Sequence, residues 1–209
     1  GDGMSAVLTI GNLSFSYPDR HVFTGWSADL PPGITGLRGA NGCGKSTLLQ
    51  LLAGALPPLT GQVRVRNIDQ QAEPLAYRRE VFWCGPGGIA FDHLRPDEYF
   101  GFIAGLYPRL SPVALAAHAD GLGLGPHRGK RLSALSTGTQ RKVALATALA
   151  VGTAVVLLDE PFNALDTASA TYLRQALATC DHTEQAWLIA SHQDLGVATA
   201  QEINLASAD

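Results

Sequence analysis

Positive charge and cysteine are both scarce in this chain of 209 residues. Only three residues are lysine, Lys45 among them, and the formal net charge is −3. Nucleic acid is therefore not expected as a partner, because phosphate backbones are bound by basic surfaces. The three cysteines, Cys43, Cys84 and Cys180, have neither close pairing nor the spacing of metal ligands. This sparse, odd number argues against a disulfide framework and suits a reducing cytosol.

Long hydrophobic runs are also missing. The best candidate for a membrane span is the uncharged stretch 143–158, which Gly152 and Thr153 interrupt and Asp159 ends. A membrane-spanning helix needs about 20 apolar residues, so a helix, a turn and a buried strand explain this stretch better. The first residues show no basic segment followed by an apolar run, and we expect no signal peptide.

The sequence does contain apolar segments of two kinds, within a composition that is 46% hydrophobic. Apolar and alternating runs predict strands at 6–17 (as strand, turn and strand), within 31–39, at 61–66, 80–84, 154–158 and 186–190, and near 203–205. Helical patterns begin near Lys45, extend over 96–122 with breaks near 107–108 and 121, begin again at about 139, cover 168–180, and start once more at Asp194.

Strands that alternate with helices predict an α/β fold with a mainly parallel sheet. The N-terminal strands are expected to form an antiparallel β part, and the helical stretch before Leu135 a sub-domain. We expect one domain over the whole chain. Its core would comprise about 5–88 and 135–206, and its helical sub-domain about 89–134.

The run "GANGCGKS", Gly39 to Ser46, matches the pattern G-x-x-x-x-G-K-[ST] between a predicted strand and a predicted helix. Glycines allow backbone N–H groups to surround phosphates, Lys45 can reach the β- and γ-phosphates, and the Ser46 hydroxyl can ligate Mg²⁺. The pattern therefore predicts a P-loop core that binds a nucleoside triphosphate. Cys43 inside this loop is either a small residue that fits or a reactive thiol at a helix N-terminus.

The run "VVLLDEP" supplies a second set of groups. Its four apolar residues predict a buried strand whose end presents Asp159 and Glu160. Asp159 can hold the Mg²⁺ of a P-loop site through its water shell, and Glu160 can activate the water that attacks the γ-phosphate.

A third feature is "LSTGTQRK", in which small hydroxyl residues and a glycine precede an Ala- and Leu-rich helix. The exposed N–H groups of a helix start can also bind phosphate. The chain thus carries two features that can bind phosphate.

These motifs, in this order, resemble the nucleotide-binding ATPases of ABC transporters. "GANGCGKST" is similar to the Walker A motif of that family, "VVLLDEP" to Walker B, "LSTGT" to the signature "LSGGQ", "NALD" to the D-loop and "IASHQ" to the switch-histidine segment. The resemblance implies catalytic roles for Lys45, Glu160 and His192, and Mg²⁺ ligation by Ser46 and Asp159. It implies nucleotide contacts from Tyr17, Gly39, Asn41, Gly42, Cys43, Gly44, Lys45, Ser46, Thr47, Ser136, Gly138 and Asp166.

Two departures from the family pattern stand out. The glutamine that normally follows the strand matched by "VFWC" is missing, and "CGPGG" stands in its place. In the signature, Thr137 replaces a glycine and Thr139 replaces the glutamine. We expect that the chain hydrolyses ATP, but slowly.

The resemblance implies a cytoplasmic subunit on the inner face of the membrane. It would bind ATP and Mg²⁺, dimerise on ATP with a second ATPase subunit, and drive a separate membrane-spanning permease, with exporters the nearest analogy. The region "CGPGG" and the insert 92–122 would dock the permease. Two alternatives stay open: a soluble ABC-type switch protein, and a regulatory subunit of low activity.

Overall fold

A computed structural model describes residues 5–40, 42–87 and 89–205 of the chain. Its strands are β1 Leu8–Tyr17, β2 Arg20–Leu30, β3 Gly33–Arg38, β4 Thr60–Val65, β5 Ile68–Asp69, β6 Val81–Cys84, β7 Val155–Asp159, β8 Ala186–Ala190 and β9 Gln201–Asn204. Its helices are α1 Lys45–Ala53, α2 Pro74–Arg79, α3 Pro96–Leu106, α4 Pro112–Gly121, α5 Thr137–Ala150 and α6 Thr167–Thr179, with short 3₁₀ turns at Gly125–His127 and Leu132–Ala134.

The strands form two sheets. One has the order β2-β1-β4-β5 with antiparallel pairing, and the other has the order β6-β7-β8-β3-β9. In the second sheet, β3 pairs in parallel with both β8 and β9, and β7 pairs in parallel with β8. The predicted α/β fold with a mainly parallel sheet and an N-terminal antiparallel part is confirmed.

The chain divides into two compact units. The first unit contains the described residues of 5–83, 154–159 and 181–205, and the second unit contains those of 84–153 and 160–180. The predicted helical sub-domain lies within the second unit, and its boundaries stay a prediction.

The core of the first unit forms where α1 buries its leucines. Leu48 and Leu52 are fully buried in a cluster that also contains Leu13 of β1 and Leu157 of β7. Gly54 ends α1 in a left-handed conformation (φ 79°), as its position after the apolar run predicts.

The second unit is organised around α5, which packs on α3, α4 and α6. α5 is buried on more than one side, since Val143 and Leu145, which are two positions apart, are both fully buried together with Ala146. In the described part of the chain, no helix is long and apolar enough to cross a membrane.

Two predicted elements are wrong. Residues 6–17 do not form strand, turn and strand. The left-handed Asn12 (φ 51°) lies at a register shift within the single strand β1, so the strand continues through it. No helix begins at Asp194: its carboxylate accepts a hydrogen bond from the Gly196 N–H at 2.9 Å, and Gly196 is left-handed (φ 71°). A left-handed residue at this point prevents a right-handed helix from starting.

Candidate functional site

Three parallel strands of the first unit end at the same level. Asp159, the last residue of β7, pairs with Ala190 of β8, and Ala190 pairs with Leu37 of β3. His192 follows Ala190 by two positions, and Gly39 follows Leu37 by two positions. The carboxyl edge of the sheet therefore brings together Asp159, the segment of His192 and the start of the glycine loop, at the edge where open α/β sheets bind ligands.

The glycine loop leads directly into α1. Gly44 is the N-cap residue, with φ 103° and no side-chain hydrogen bond to the helix start. A Cβ at this position would lie 2.7 Å from Cγ1 of Val22 on β2, so only glycine fits. Gly42 is also left-handed (φ 84°) and exposed, whereas Asn41 lies outside the described residues. This helix start keeps its N–H groups available for an anion.

Lys45 is the first residue of α1, and only 7% of it is exposed. Its ammonium group donates a hydrogen bond to the Gly39 carbonyl at the other end of the loop. A buried ammonium group needs polar partners, and this carbonyl provides one. Lys45 thus spans the opening of the loop in which a phosphate would lie.

Ser46 and Asp159 lie in direct contact although they are far apart in sequence. The Ser46 hydroxyl donates to Oδ2 of Asp159 at 2.7 Å. A hydroxyl and a carboxylate are the hard oxygen donors that Mg²⁺ takes, so the pair fits that ion. Among the described residues, there is no cluster of three or more His, Cys, Asp and Glu side chains suited to a metal. A metal here would take further ligands from phosphate and water.

Tyr17 lies at the end of β1, and its hydroxyl is 3.0 Å from Oγ1 of Thr47 on α1. The guanidinium of Arg20 lies over its ring, 5.3 Å from the ring centroid, and Phe15 meets it edge to face at 4.9 Å. The structure thus places the predicted adenine-stacking residue beside the P-loop helix. Arg20 was not predicted, since an arginine at the start of a strand carries no motif of its own.

Cys43 is buried, with 5% of the residue exposed. A Cβ on Gly39 would collide with its sulfur, so the thiol packs directly against the first glycine of the loop. Of the two interpretations of Cys43, this geometry favours the small residue that fits.

The second unit holds the start of α5. Ser136 is its N-cap: its Oγ accepts from the Thr139 N–H at 3.1 Å and donates to the Thr139 hydroxyl at 2.9 Å. Ser136 and Thr137 are exposed, whereas Thr139 is buried. The threonine that replaces the signature glutamine therefore points inward and orients the Ser136 hydroxyl.

Gly138 lies against the chain segment between β7 and α6. A Cβ at this position would lie 2.5 Å from the Ala164 carbonyl oxygen, so a side chain is excluded. Ala164 and Glu160 are both non-glycine residues in the left-handed region, with φ of 63° and 47°. Such strained residues collect at functional sites. The Glu160 carbonyl accepts from the Asn163 N–H at 3.2 Å, which closes the turn after β7.

Asp166 serves as the N-cap of α6, where Oδ1 accepts from the Ser169 N–H at 2.7 Å. Its other oxygen accepts from Nζ of Lys142 on α5 at 2.8 Å. The Lys142 hydrogen bond, together with the Ser169 contacts, holds the pKa of Asp166 far below its usual range. These contacts join α5 to α6, and a nucleotide contact from Asp166 stays a prediction.

The loop after β6 has a partner that sequence reasoning missed. Arg141 of α5 is 7% exposed, and it donates to the Pro86 carbonyl at 2.8 Å and to the Gly85 carbonyl at 3.4 Å. No periodicity or motif links an arginine to carbonyls about 55 positions earlier. The amide of the upstream Gln70 donates to the Leu51 carbonyl near the end of α1 at 2.8 Å.

A model of the ABC transporter family matches residues 23–163, more than half of the chain. The chain belongs to the ABC transporter family. It is an ATP-binding subunit of a transporter of this family, and it is an ATPase.

Two relatives illustrate this relationship, and one solved structure shares the fold. The chain is 34% identical over 175 residues to the cytochrome c biogenesis ATP-binding export protein CcmA of Pseudomonas syringae pv. syringae (strain B728a), covering 82% of this chain and 78% of that protein. It is 34% identical over 198 residues to the sulfate/thiosulfate import ATP-binding protein CysA of Gloeobacter violaceus (strain ATCC 29082 / PCC 7421), covering 92% of this chain and 54% of that protein. A solved structure of an ATP-binding subunit of an ABC transporter matches with a TM-score of 0.80 at 21% identity, covering 89% of this chain and 79% of that one.

Proposed function

We propose that this ABC transporter subunit binds Mg²⁺ with ATP, dimerises on ATP and drives a separate membrane-spanning partner in export. The observation that carries this proposal is the arrangement of two phosphate-binding features. Lys45 and the Ser46–Asp159 pair lie in the first unit, and the exposed start of α5 with Ser136 and Gly138 lies in the second. Each P-loop would then bind ATP together with the α5 start of the other copy.

Each of the predicted site residues would have its own role in binding or hydrolysing ATP. Lys45 would leave the Gly39 carbonyl and bind the β- and γ-phosphates, while Tyr17 would stack on adenine. Ser46 and Asp159 would hold Mg²⁺, which neutralises phosphate charge when bound. Glu160 would take the proton of the attacking water, and His192 would contact the γ-phosphate. Without the loop glutamine, we expect slow turnover.

The permease would dock on the second unit, which exposes several apolar side chains as well as the loop 85–87. Phe91 and Phe102 are 44% and 41% exposed, and their ring centroids are 5.0 Å apart. Leu106, one helical turn after Phe102 on α3, is 49% exposed. Neighbouring exposed apolar residues of this kind are typical of a protein interface. The chain would work at the cytoplasmic face of the membrane.

The likeness to the cytochrome c biogenesis ATP-binding export protein CcmA, at 34% identity over 175 residues, supports the export direction. The direction can be tested by reconstituting the chain with the membrane protein that co-purifies with it. Cargo leaving the side on which ATP is supplied supports export, and cargo accumulating on that side contradicts it.

A mixing experiment tests the shared site. The variant Lys45→Ala lacks a functional P-loop, and Ser136→Arg blocks the α5 start with a bulky cation. Each variant alone should show little Mg²⁺-dependent ATPase activity. Mixed in equal amounts, they form heterodimers in which one intact P-loop faces one intact α5 start, so activity should return. A mixture as inactive as its components would contradict the proposal, and a mixture of Lys45→Ala with Glu160→Gln serves as a control without a complete site.

A further inference from the structure

Arg141 joins α5 to the loop that follows β6. It is a charged side chain with only 7% of the residue exposed, and its two terminal nitrogens donate to the carbonyls of Gly85 and Pro86. A second contact lies one turn further along the helix, where the Cys84 thiol donates to the Ala144 carbonyl at 3.5 Å. Arg141 and Ala144 are three positions apart and therefore share one face of α5.

The arginine and the loop depend on each other. A buried guanidinium is costly unless its N–H groups find acceptors, and the carbonyls of an irregular loop need donors. The planar fork of arginine can serve two successive carbonyls at once, which a lysine ammonium cannot do with the same geometry. The positive charge of Arg141 also opposes the effect of burial on the Cys84 pKa, which burial raises to about 12.

Both ends of this connection reach the surface of the second unit. Pro86 and Gly87 are exposed in the loop, and Ser136 and Thr137 are exposed at the start of α5. Arg141 lies four residues after the first residue of α5, a distance of about 6 Å along the helix axis. A displacement of the α5 start therefore moves Arg141, and with it the carbonyls that it holds.

We propose that Arg141 is a positioning residue that transmits movement of the α5 start to the loop 85–87. This inference rests on the proposed function, in which ATP on a second copy engages Ser136 and Gly138. Nucleotide bound at the exposed start of α5 then changes the conformation of the exposed loop. Arg141 thereby gives a loop without a glutamine a mechanical connection to the state of the nucleotide.

Amide hydrogen exchange of the loop tests this role. The comparison uses Glu160→Gln chains, in which hydrolysis is blocked, with MgATP or without nucleotide, and follows the peptide 82–87 by mass spectrometry. With Arg141 present, we expect ATP to change the exchange rate of this peptide severalfold. In the Arg141→Gln background the change should disappear, while the ATP-dependent increase in molecular mass remains. A merely structural arginine would instead lower the melting temperature and leave the ATP-dependent difference in place.

Each outcome has a distinct meaning. If Glu160→Gln dimerises with MgATP but its loop exchange does not respond, the inference about Arg141 fails while the proposed function stands. The same ATP-dependent change with and without Arg141 also overturns it, as does loss of dimerisation in Arg141→Gln. If Glu160→Gln itself does not dimerise, the proposed function fails. Should Arg141→Gln not fold, Arg141→Lys replaces it: a reduced response supports the forked contact, and a full response or failure to fold contradicts it.

Discussion

At the scale of single residues, the packing around Gly138 leaves no room for a side chain. A Cβ would lie 2.5 Å from the Ala164 carbonyl oxygen, and this neighbour is backbone that cannot rotate away. We expect Gly138→Ala to lower the free energy of unfolding by about 1–3 kcal/mol, the usual range for overpacking. Denaturant unfolding followed by circular dichroism measures the effect.

The matched control for Gly138→Ala is Gly101→Ala in α3. A Cβ at Gly101 meets nothing within 4 Å, and alanine is the better helix former. This control should be neutral or more stable by up to about 1 kcal/mol. Equal effects of the two substitutions would contradict the close approach at Gly138.

The three thiols should react in an order set by burial. Cys43 and Cys84 are 5% and 6% exposed, whereas Cys180 at the end of α6 is half-buried. Burial also raises the pKa of Cys84 to about 12, so this group stays a thiol at neutral pH. A maleimide at pH 7 should therefore modify Cys180 first and leave ATP binding intact. Peptide mapping measures the order of modification. As a control, Cys180→Ser should lose the fast phase of maleimide modification. Rapid modification of Cys43 with loss of ATP binding contradicts this expectation.

Residues in local motifs could be identified from the sequence, because the P-loop is a contiguous strand, glycine loop and helix. Lys45 and Ser46 lie where the motif predicts them relative to α1. The contact of Ser46 with Asp159 could be expected. Asp159 ends one parallel strand, and the loop after another parallel strand leads to Ser46, so both residues lie at the carboxyl edge of one sheet. Arg141 could not be identified, because its acceptors are main-chain carbonyls that any residue provides.

At the scale of secondary-structure elements, the start of α5 combines two roles that can be separated. Ser136 caps α5 through the Thr139 N–H, and Ser111 caps α4 in the same way through the Ala114 N–H at 3.1 Å. Removing a serine cap costs about 1 kcal/mol. We expect both Ser136→Ala and Ser111→Ala to lose about this much stability, measured by thermal unfolding.

Only one of these two substitutions should affect nucleotide-dependent assembly. Ser136→Ala removes a hydroxyl that we propose to contact the γ-phosphate of ATP bound to a second copy, whereas Ser111 has no such role. ATP-dependent dimerisation, measured by sedimentation, should therefore weaken in Ser136→Ala and stay unchanged in Ser111→Ala. If both variants dimerise equally well, Ser136 is a helix cap and nothing more.

Elements with long, regular patterns were predictable, whereas short or irregular ones were not, and the 11-residue strand β2 was missed because its burial pattern does not alternate. The apolar run before Asp159 is β7, and the Ala- and Leu-rich run after Gly138 is α5, although α5 begins two residues before the predicted Thr139. The six-residue helix α2 was missed because it is too short for periodicity; the buried Tyr77 fixes it by donating to the Leu52 carbonyl. Asp194 misled the prediction because its carboxylate can also begin a turn.

At the scale of the whole molecule, the two features that we propose to bind phosphate belong to different compact units. The loop 39–46 and Asp159 are in the first unit, and Ser136, Gly138 and Asp166 are in the second. In the proposed dimer, the first unit of one copy and the second unit of the other copy would bind the same ATP.

ATP-dependent dimerisation is tested most directly by the mass of the Glu160→Gln chain in solution, measured by light scattering coupled to size exclusion. With MgATP, we expect a particle of twice the 22.0 kDa chain mass, which returns to the single-chain mass when ATP is removed or Mg²⁺ is chelated. Ser136→Arg in the same background should stay at the single-chain mass under all conditions. A Glu160→Gln chain that binds MgATP yet keeps the single-chain mass, or a Ser136→Arg variant that doubles its mass equally well, would show that the α5 start does not complete the ATP site of a second copy.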